Sequence, residues 1–90
     1  MSQICVKANV KGIVQGVGFR FHTAHEGLKD GLTGYAMNLP DGSVEVLVCG
    51  HEENVNKLLA WLKEGPRMSR VDKIEAEELE WRHVDGFEIK

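Results

Sequence analysis

Apolar side chains along this chain switch between a spacing of two and a spacing of three to four, and the order of the switches limits the folds open to it. Ile4, Val6, Ala8 and Val10 occupy alternate positions with Cys5, Lys7, Asn9 and Lys11 between them, the pattern of a strand with one buried face. The alternation ends in Gly12-Ile13-Val14-Gln15-Gly16-Val17-Gly18, too glycine-rich for a strand or helix interior. From Phe21 the spacing turns helical: Phe21, Ala24, His25 and Leu28 predict one buried helix face, with Gly31 as its stop. Thr33 to Asn38 reads as a short strand, and Leu39-Pro40-Asp41-Gly42 as a turn. Val44, Val46 and Val48 then alternate with Glu45, Leu47 and Cys49 as the return strand of a hairpin. A second helix opens with Glu52 and Glu53, carries Val55, Leu58, Leu59 and Leu62 as its stripe, and stops at Gly65-Pro66. Val71 to about Glu78 predicts a fourth strand, and Phe87 with Ile89 a possible short fifth.

The order is β-α-β-β-α-β. Right-handed crossovers make the strands flanking each helix parallel but leave room for another strand between them. The economical solution is a ferredoxin-like split βαβ sandwich of the α+β class, an antiparallel sheet with two helices on one face. Residues 1–90 are expected to form a single domain, and an apolar fraction of 42% is enough for one core. No apolar run approaches the roughly 20 residues of a membrane-spanning helix, and Met1 to Lys7 lacks the apolar stretch of a signal peptide. The expectation is a cytoplasmic protein with no membrane partner.

Charge narrows the partners further. The net charge of −3 argues against a nucleic-acid binder. No Asp or Glu precedes Glu26, whereas Lys7, Lys11 and Arg20 fall in that stretch. Such a segment is open to an anion, although the same sparsity also arises by chance in a window this short. Within it, Gln15-Gly16-Val17-Gly18-Phe19-Arg20 links a strand to a helix start. Glycines there let successive amides point into one concavity, and a guanidinium suits phosphate oxygens. A tight connection beside a surface arginine fits the same residues. It is neither a P-loop nor a dinucleotide fingerprint, because no Gly-Lys-Ser/Thr follows and Phe21 replaces the third glycine. Asn38 reads equally as a turn asparagine, but the sandwich brings it to the same sheet edge as residues 15–20.

Two blocks resemble the acylphosphatase family: Gly12-x-Val14-Gln15-Gly16-Val17-Gly18-Phe19-Arg20-x-x-Thr23 and Gly34-Tyr35-x-x-Asn38-x-x-Asp41-Gly42-x-Val44. Trp61-Leu62, Gly65-Pro66, Ser69-Arg70-Val71 and Phe87-x-Ile89 extend the likeness over the full length. The resemblance implies the same sandwich and hydrolysis of the carboxyl–phosphate bond of acyl phosphates without a metal or other cofactor. It implies that the amides of Gln15, Gly16, Val17, Gly18, Phe19 and Arg20, with the Arg20 side chain, hold the phosphate. Asn38 would position the attacking water. The implied partners are a small acyl phosphate and inorganic phosphate, on a monomer. His22 lies inside the block without an assigned role.

The remaining candidates read as structure. His22, His25 and Glu26 match no metalloprotease spacing. Trp61 and Trp81 are expected to pack, and Glu75, Glu77, Glu78 and Glu80 to form a solvated edge that resists sheet-to-sheet pairing. An RNA-binding sandwich wants aromatic residues on its central strands, and the first and third strands have none. The stronger competitor is an anion-binding module that keeps the loop without turnover. Cys5 and Cys49 are expected to face each other on the sheet face away from the helices. A disulfide is geometrically open to them, with free thiols expected in a reducing cytosol.

Overall fold

A computed structural model describes residues 2–90. In chain order it contains β1 (Gln3–Ile13), α1 (Phe19–Lys29), β2 (Thr33–Asn38), β3 (Val44–His51), α2 (Glu52–Glu64), β4 (Arg70–Leu79) and β5 (Phe87–Ile89). The strands form one sheet in the order β4-β1-β3-β2-β5. Antiparallel β1/β3 and β3/β2 pairings make β1 and β2 parallel to each other, as the split βαβ requires. The chain has the ferredoxin-like α+β fold.

One side of the sheet carries both helices. Val6, Val10, Val44, Val46 and Val48 meet Val55, Leu58 and Leu62 of α2 there, in one buried cluster that includes Phe19 and Phe87. α1 rests on β2 and β5, and α2 on β1, β3 and β4. The end of α1 is set by local chemistry: the Gly31 N–H donates to Leu28 O and the Leu32 N–H to Gly27 O, with Gly31 at φ 73°. This paired arrangement satisfies the last carbonyls, and a positive φ suits glycine. At the far side of the sheet Cys5, Leu47 and Cys49 form a smaller cluster beneath Tyr35, Leu79 and Val84.

Several expectations need correction. The fifth strand pairs parallel to β2, through Gly34/Phe87 and Ala36/Ile89, so the sheet is mixed rather than antiparallel. β1 runs on through Gly12 to Ile13, with a register shift against β4 between Lys11 and Gly12. A Cβ at Gly12 would strike Arg70 O, so glycine here permits a close strand approach rather than ending the strand.

The face expected for α1 is also wrong. Phe19, Thr23, Ala24 and Gly27 are buried, while Phe21, His25 and Leu28 face water. The helix begins at Phe19, and after it small residues line the inner face, with Phe87 lying directly against Gly27. Cys5 and Cys49 are directly paired across β1 and β3, and the structure joins them as a disulfide rather than leaving free thiols. Trp61 packs against the core, but Trp81 is largely exposed. β4 is indeed an edge strand, with its glutamates in solvent.

Candidate functional site

The ends of the parallel strands β1 and β2 bring residues 15–20 and Asn38 to one edge of the sheet. Gly16 and Gly18 adopt φ of 76° and 78°, and Val17 between them keeps the negative φ of every described non-glycine residue. Alternation of sign along successive residues turns their N–H groups toward one side, the geometry of an anion nest. Gly18 is also the N-cap of α1. The first amide of this stretch with a main-chain acceptor is that of His22, which donates to Gly18 O at 3.0 Å. The helix dipole adds partial positive charge at the same place.

Gln15 ties the loop to the β2–β3 turn. Its side-chain Nε2 donates to Leu39 O at 2.8 Å and to Ser43 O at 2.9 Å. Within that turn, Ser43 donates from both N and Oγ to Asp41 Oδ1. These bonds hold the Asp41 carboxyl below its ordinary range, the side-chain bond contributing most. Asn9 Nδ2 reaches Ser43 Oγ at 3.0 Å, anchoring the turn to β1.

Arg20 and Asn38 meet through a third residue. Arg20 Nη1 donates to the main-chain oxygen of Lys90 at 2.7 Å, and the Asn38 N–H donates to the same oxygen at 3.3 Å. Lys90 N in turn donates to Ala36 O at 2.8 Å, which fixes that oxygen to β2. The contact spends one of five guanidinium donors and leaves the rest of the fork available. Among the described residues the Asn38 Oδ1 atom is buried without a hydrogen-bond partner, as are Asn9 Oδ1 and Thr23 Oγ1, although buried polar atoms are normally satisfied.

Beside Arg20 lies a cavity of about 120 Å³, lined by Val14, Gly16, Gly18, Phe19, Arg20, Phe21 and Ile89. Asn38 and Gln15 do not line it, and Val17 instead packs toward the core. Larger hollows exist but carry different chemistry. One, about 420 Å³, is bounded by His51, Glu52 and Glu53, at the sheet end opposite residues 15–20. Among the described residues no three His, Cys, Asp or Glu side chains converge as metal ligands.

A family model described as Acylphosphatase matches residues 6–89. The chain belongs to the acylphosphatase family. An acylphosphatase of Photobacterium profundum is 82% identical over 90 residues, covering 100% of both chains. One from Aliivibrio fischeri is 57% identical over 89 residues, covering 99% of each. The solved structure of an acylphosphatase from Coxiella burnetii matches with a TM-score of 0.93 at 33% identity, over 98% of this chain and 93% of that one.

Three residues at this candidate site escape the sequence reading. Lys90 contributes a main-chain oxygen, which any residue type supplies and no motif marks. Gln15 engages the turn through its side chain, whereas the sequence had pointed only to its amide. The His22 ring lies over Gly18, where an added Cβ would sit 3.4 Å from its Cδ2, and stacks edge-on against Phe21 at 5.6 Å. Its place one helical turn after Gly18 is the only signal in the sequence.

Proposed function

We propose that this single acylphosphatase domain hydrolyses the carboxyl–phosphate bond of small acyl phosphates, with residues 15–20 and Arg20 holding the phosphoryl group and Asn38 holding the water. The observation carrying the assignment is the Lys90 oxygen, which accepts hydrogen bonds from Arg20 and Asn38 together and so ties both to one point. The alternating φ at 16–18, the helix start and the guanidinium all favour negative charge beside that point.

The chemistry asks for little more. Phosphoryl transfer through a loose transition state depends on charge stabilisation and positioning rather than on covalent catalysis. Amides and Arg20 stabilise the equatorial oxygens as charge shifts toward the leaving group. Water attacks phosphorus in line while the bond to the acyl oxygen breaks, and its electron pair leaves with the carboxylate. That carboxylate is the conjugate base of an acid of pKa about 4–5, so no strong general acid is required. We assign the attacking water to the Asn38 side chain, whose buried and unpartnered Oδ1 accepts the water's hydrogen bond once a turn of that side chain exposes it. A phosphate oxygen of the substrate takes the water's proton, which accounts for catalysis without a neighbouring carboxylate base. No metal enters this scheme. We further propose a cytoplasmic monomer; the chain is acidic, and among the described residues no helix is long and apolar enough to cross a membrane.

Benzoyl phosphate hydrolysis in excess chelator tests the activity and separates an enzyme from an anion-binding module without turnover. Turnover should persist undiminished. Phosphate titration followed by amide chemical shifts tests the site: the largest shifts should fall at residues 15–20, and shifts centred on His51 would refute it.

A further inference from the structure

Phe21 and Ile89 come from separate elements, the first turn of α1 and the last strand, yet wall the same cavity as Gly16, Gly18 and Arg20. Both are large apolar side chains left in water, 62% and 48% exposed. Single exposed apolar residues need no explanation, but two that converge on the mouth of a polar cradle form a surface with a direction. Phe21 belongs to an outward row with His25 and Leu28, and only its first member reaches the cavity. The Phe21 ring is braced edge-on by His22. Arg20, next in sequence to Phe21, and Lys90, next to Ile89, are the two residues joined by the 2.7 Å hydrogen bond. The two apolar residues thus flank, in sequence, the contact that orients the guanidinium.

We propose that Phe21 and Ile89 form an acyl subsite, which receives the apolar acyl group of an aromatic or extended aliphatic acyl phosphate and makes the enzyme discriminate among substrates by that group. The proposal rests on the placement of phosphate at residues 15–20. The acyl carbon is one bridging oxygen from phosphorus, so a phosphoryl group seated against Gly16, Gly18 and Arg20 sends its acyl group out along these walls. A cavity of about 120 Å³ is well below the roughly 300–1,000 Å³ of pockets that enclose whole organic ligands. It therefore covers only the part of the acyl group nearest the carboxyl carbon. Contact with a ring or a first few methylenes is rewarded, and the far end remains in water. Acetyl phosphate, with one methyl group, gains least.

The test compares kcat/KM for benzoyl phosphate and acetyl phosphate on the full chain, for wild type and for Phe21→Ala, Ile89→Ala and Phe21→Leu. Melting curves come first, and exposure of both side chains favours folded variants. Wild type should favour benzoyl phosphate by about tenfold, and Phe21→Ala should cut that ratio by about fivefold, the scale of losing a few apolar contacts in an open site. Ile89→Ala should reduce the ratio less, and Phe21→Leu should restore part of it. An unchanged ratio in both alanine variants, or a proportional fall for both substrates, overturns the proposal. The inhibition constant of free phosphate, which has no acyl group, reads the cradle separately. If Arg20→Gln raises it while the ratios stay fixed, the subsite alone is refuted. If Arg20→Gln leaves it unmoved, the placement of phosphate fails and the subsite fails with it.

Discussion

Shortening Gln15 to alanine removes the two hydrogen bonds that tie the glycine loop to the β2–β3 turn, at 2.8 Å to Leu39 O and 2.9 Å to Ser43 O. A neutral bond of this kind is worth about 0.5–1.5 kcal/mol net. Neither acceptor is orphaned by the change, because Leu39 O keeps the Gly42 N–H at 3.1 Å and Ser43 O keeps the Leu39 N–H at 2.9 Å. The cost therefore stays near the sum of two ordinary bonds, about 1–3 kcal/mol, or roughly 4–24 °C in Tm for a domain of this size. Asn38 directly precedes Leu39, so slackening the turn displaces the water-holding amide. kcat for benzoyl phosphate should fall ten- to a hundredfold, on the scale of a sub-ångström to ångström misplacement. The phosphate inhibition constant should change about twofold or less, on the scale of a net hydrogen bond or below. Gln15→Glu is harsher at neutral pH, because a carboxylate would face two carbonyl oxygens. Those oxygens accept a proton-bearing form only, so they raise the folded-state pKa of that carboxyl. The deficit is then least below the unfolded value of about 4.3 and grows as pH rises through the raised folded value. Thermal melts and steady-state kinetics check both variants. Wild-type melting and kcat in Gln15→Ala would refute the latch. A lower Tm with unchanged kcat would confine it to stability.

Other substitutions probe the frame that carries the site. Gly27→Ala gains helix propensity of about 1 kcal/mol, yet its Cβ would lie 2.6 Å from the Phe87 ring. Overpacking of about 1–3 kcal/mol should win, and a rise in Tm would contradict the packing described. Reducing the Cys5–Cys49 link, with a sequence separation of 44, should cost up to about 4 kcal/mol if it acts by restricting the unfolded chain. An unchanged melt after a thiol count verifies reduction would argue otherwise. Tyr35, the single tyrosine, is pushed up to about 12 by burial, then by its bond to Glu45 and that residue's charge. The folded state thus holds this proton more tightly. Its stabilising contribution is complete below pH 10.0 and is lost as pH rises toward about 12. Tyrosinate absorbance should titrate near 12 and move down in Glu45→Gln.

Legibility in the sequence follows how local each determinant is. β2 is readable to its last residue because Leu39-Pro40-Asp41-Gly42 ends it by turn chemistry, independent of anything distant. The cysteine pairing is readable because the sandwich makes β1 and β3 antiparallel neighbours, so the start of one lies beside the end of the other, and alternation puts both cysteines on the same face. The α1 face is not, because its inner side holds the small residues Thr23, Ala24 and Gly27, the last directly against Phe87. An apolar count there selects Phe21 and Leu28, which face water. Likewise, three residues of β5 carry no signal of direction, so its parallel pairing emerges only from tertiary structure. At the site, Gly16 and Gly18 announce positive φ in the sequence itself. The Lys90 oxygen that joins Arg20 to Asn38 is main chain, and its identity leaves no trace in a motif.

Kinetics of Asn38→Ala test the division of labour between Arg20 and Asn38 most directly. Asn38 Oδ1 is buried without a partner, whereas the Asn38 N–H that holds β2 to Lys90 is main chain and survives the substitution. The variant should therefore fold, and equal melting is the entry condition. With benzoyl phosphate, kcat should fall by about 10²-fold or more while KM and the phosphate inhibition constant stay near wild type, the signature of an interaction made with the water and not with the substrate. Arg20→Gln should instead weaken phosphate binding and lower kcat together. A folded Asn38→Ala protein that kept full kcat, or that lost phosphate affinity as severely as Arg20→Gln, would contradict the account.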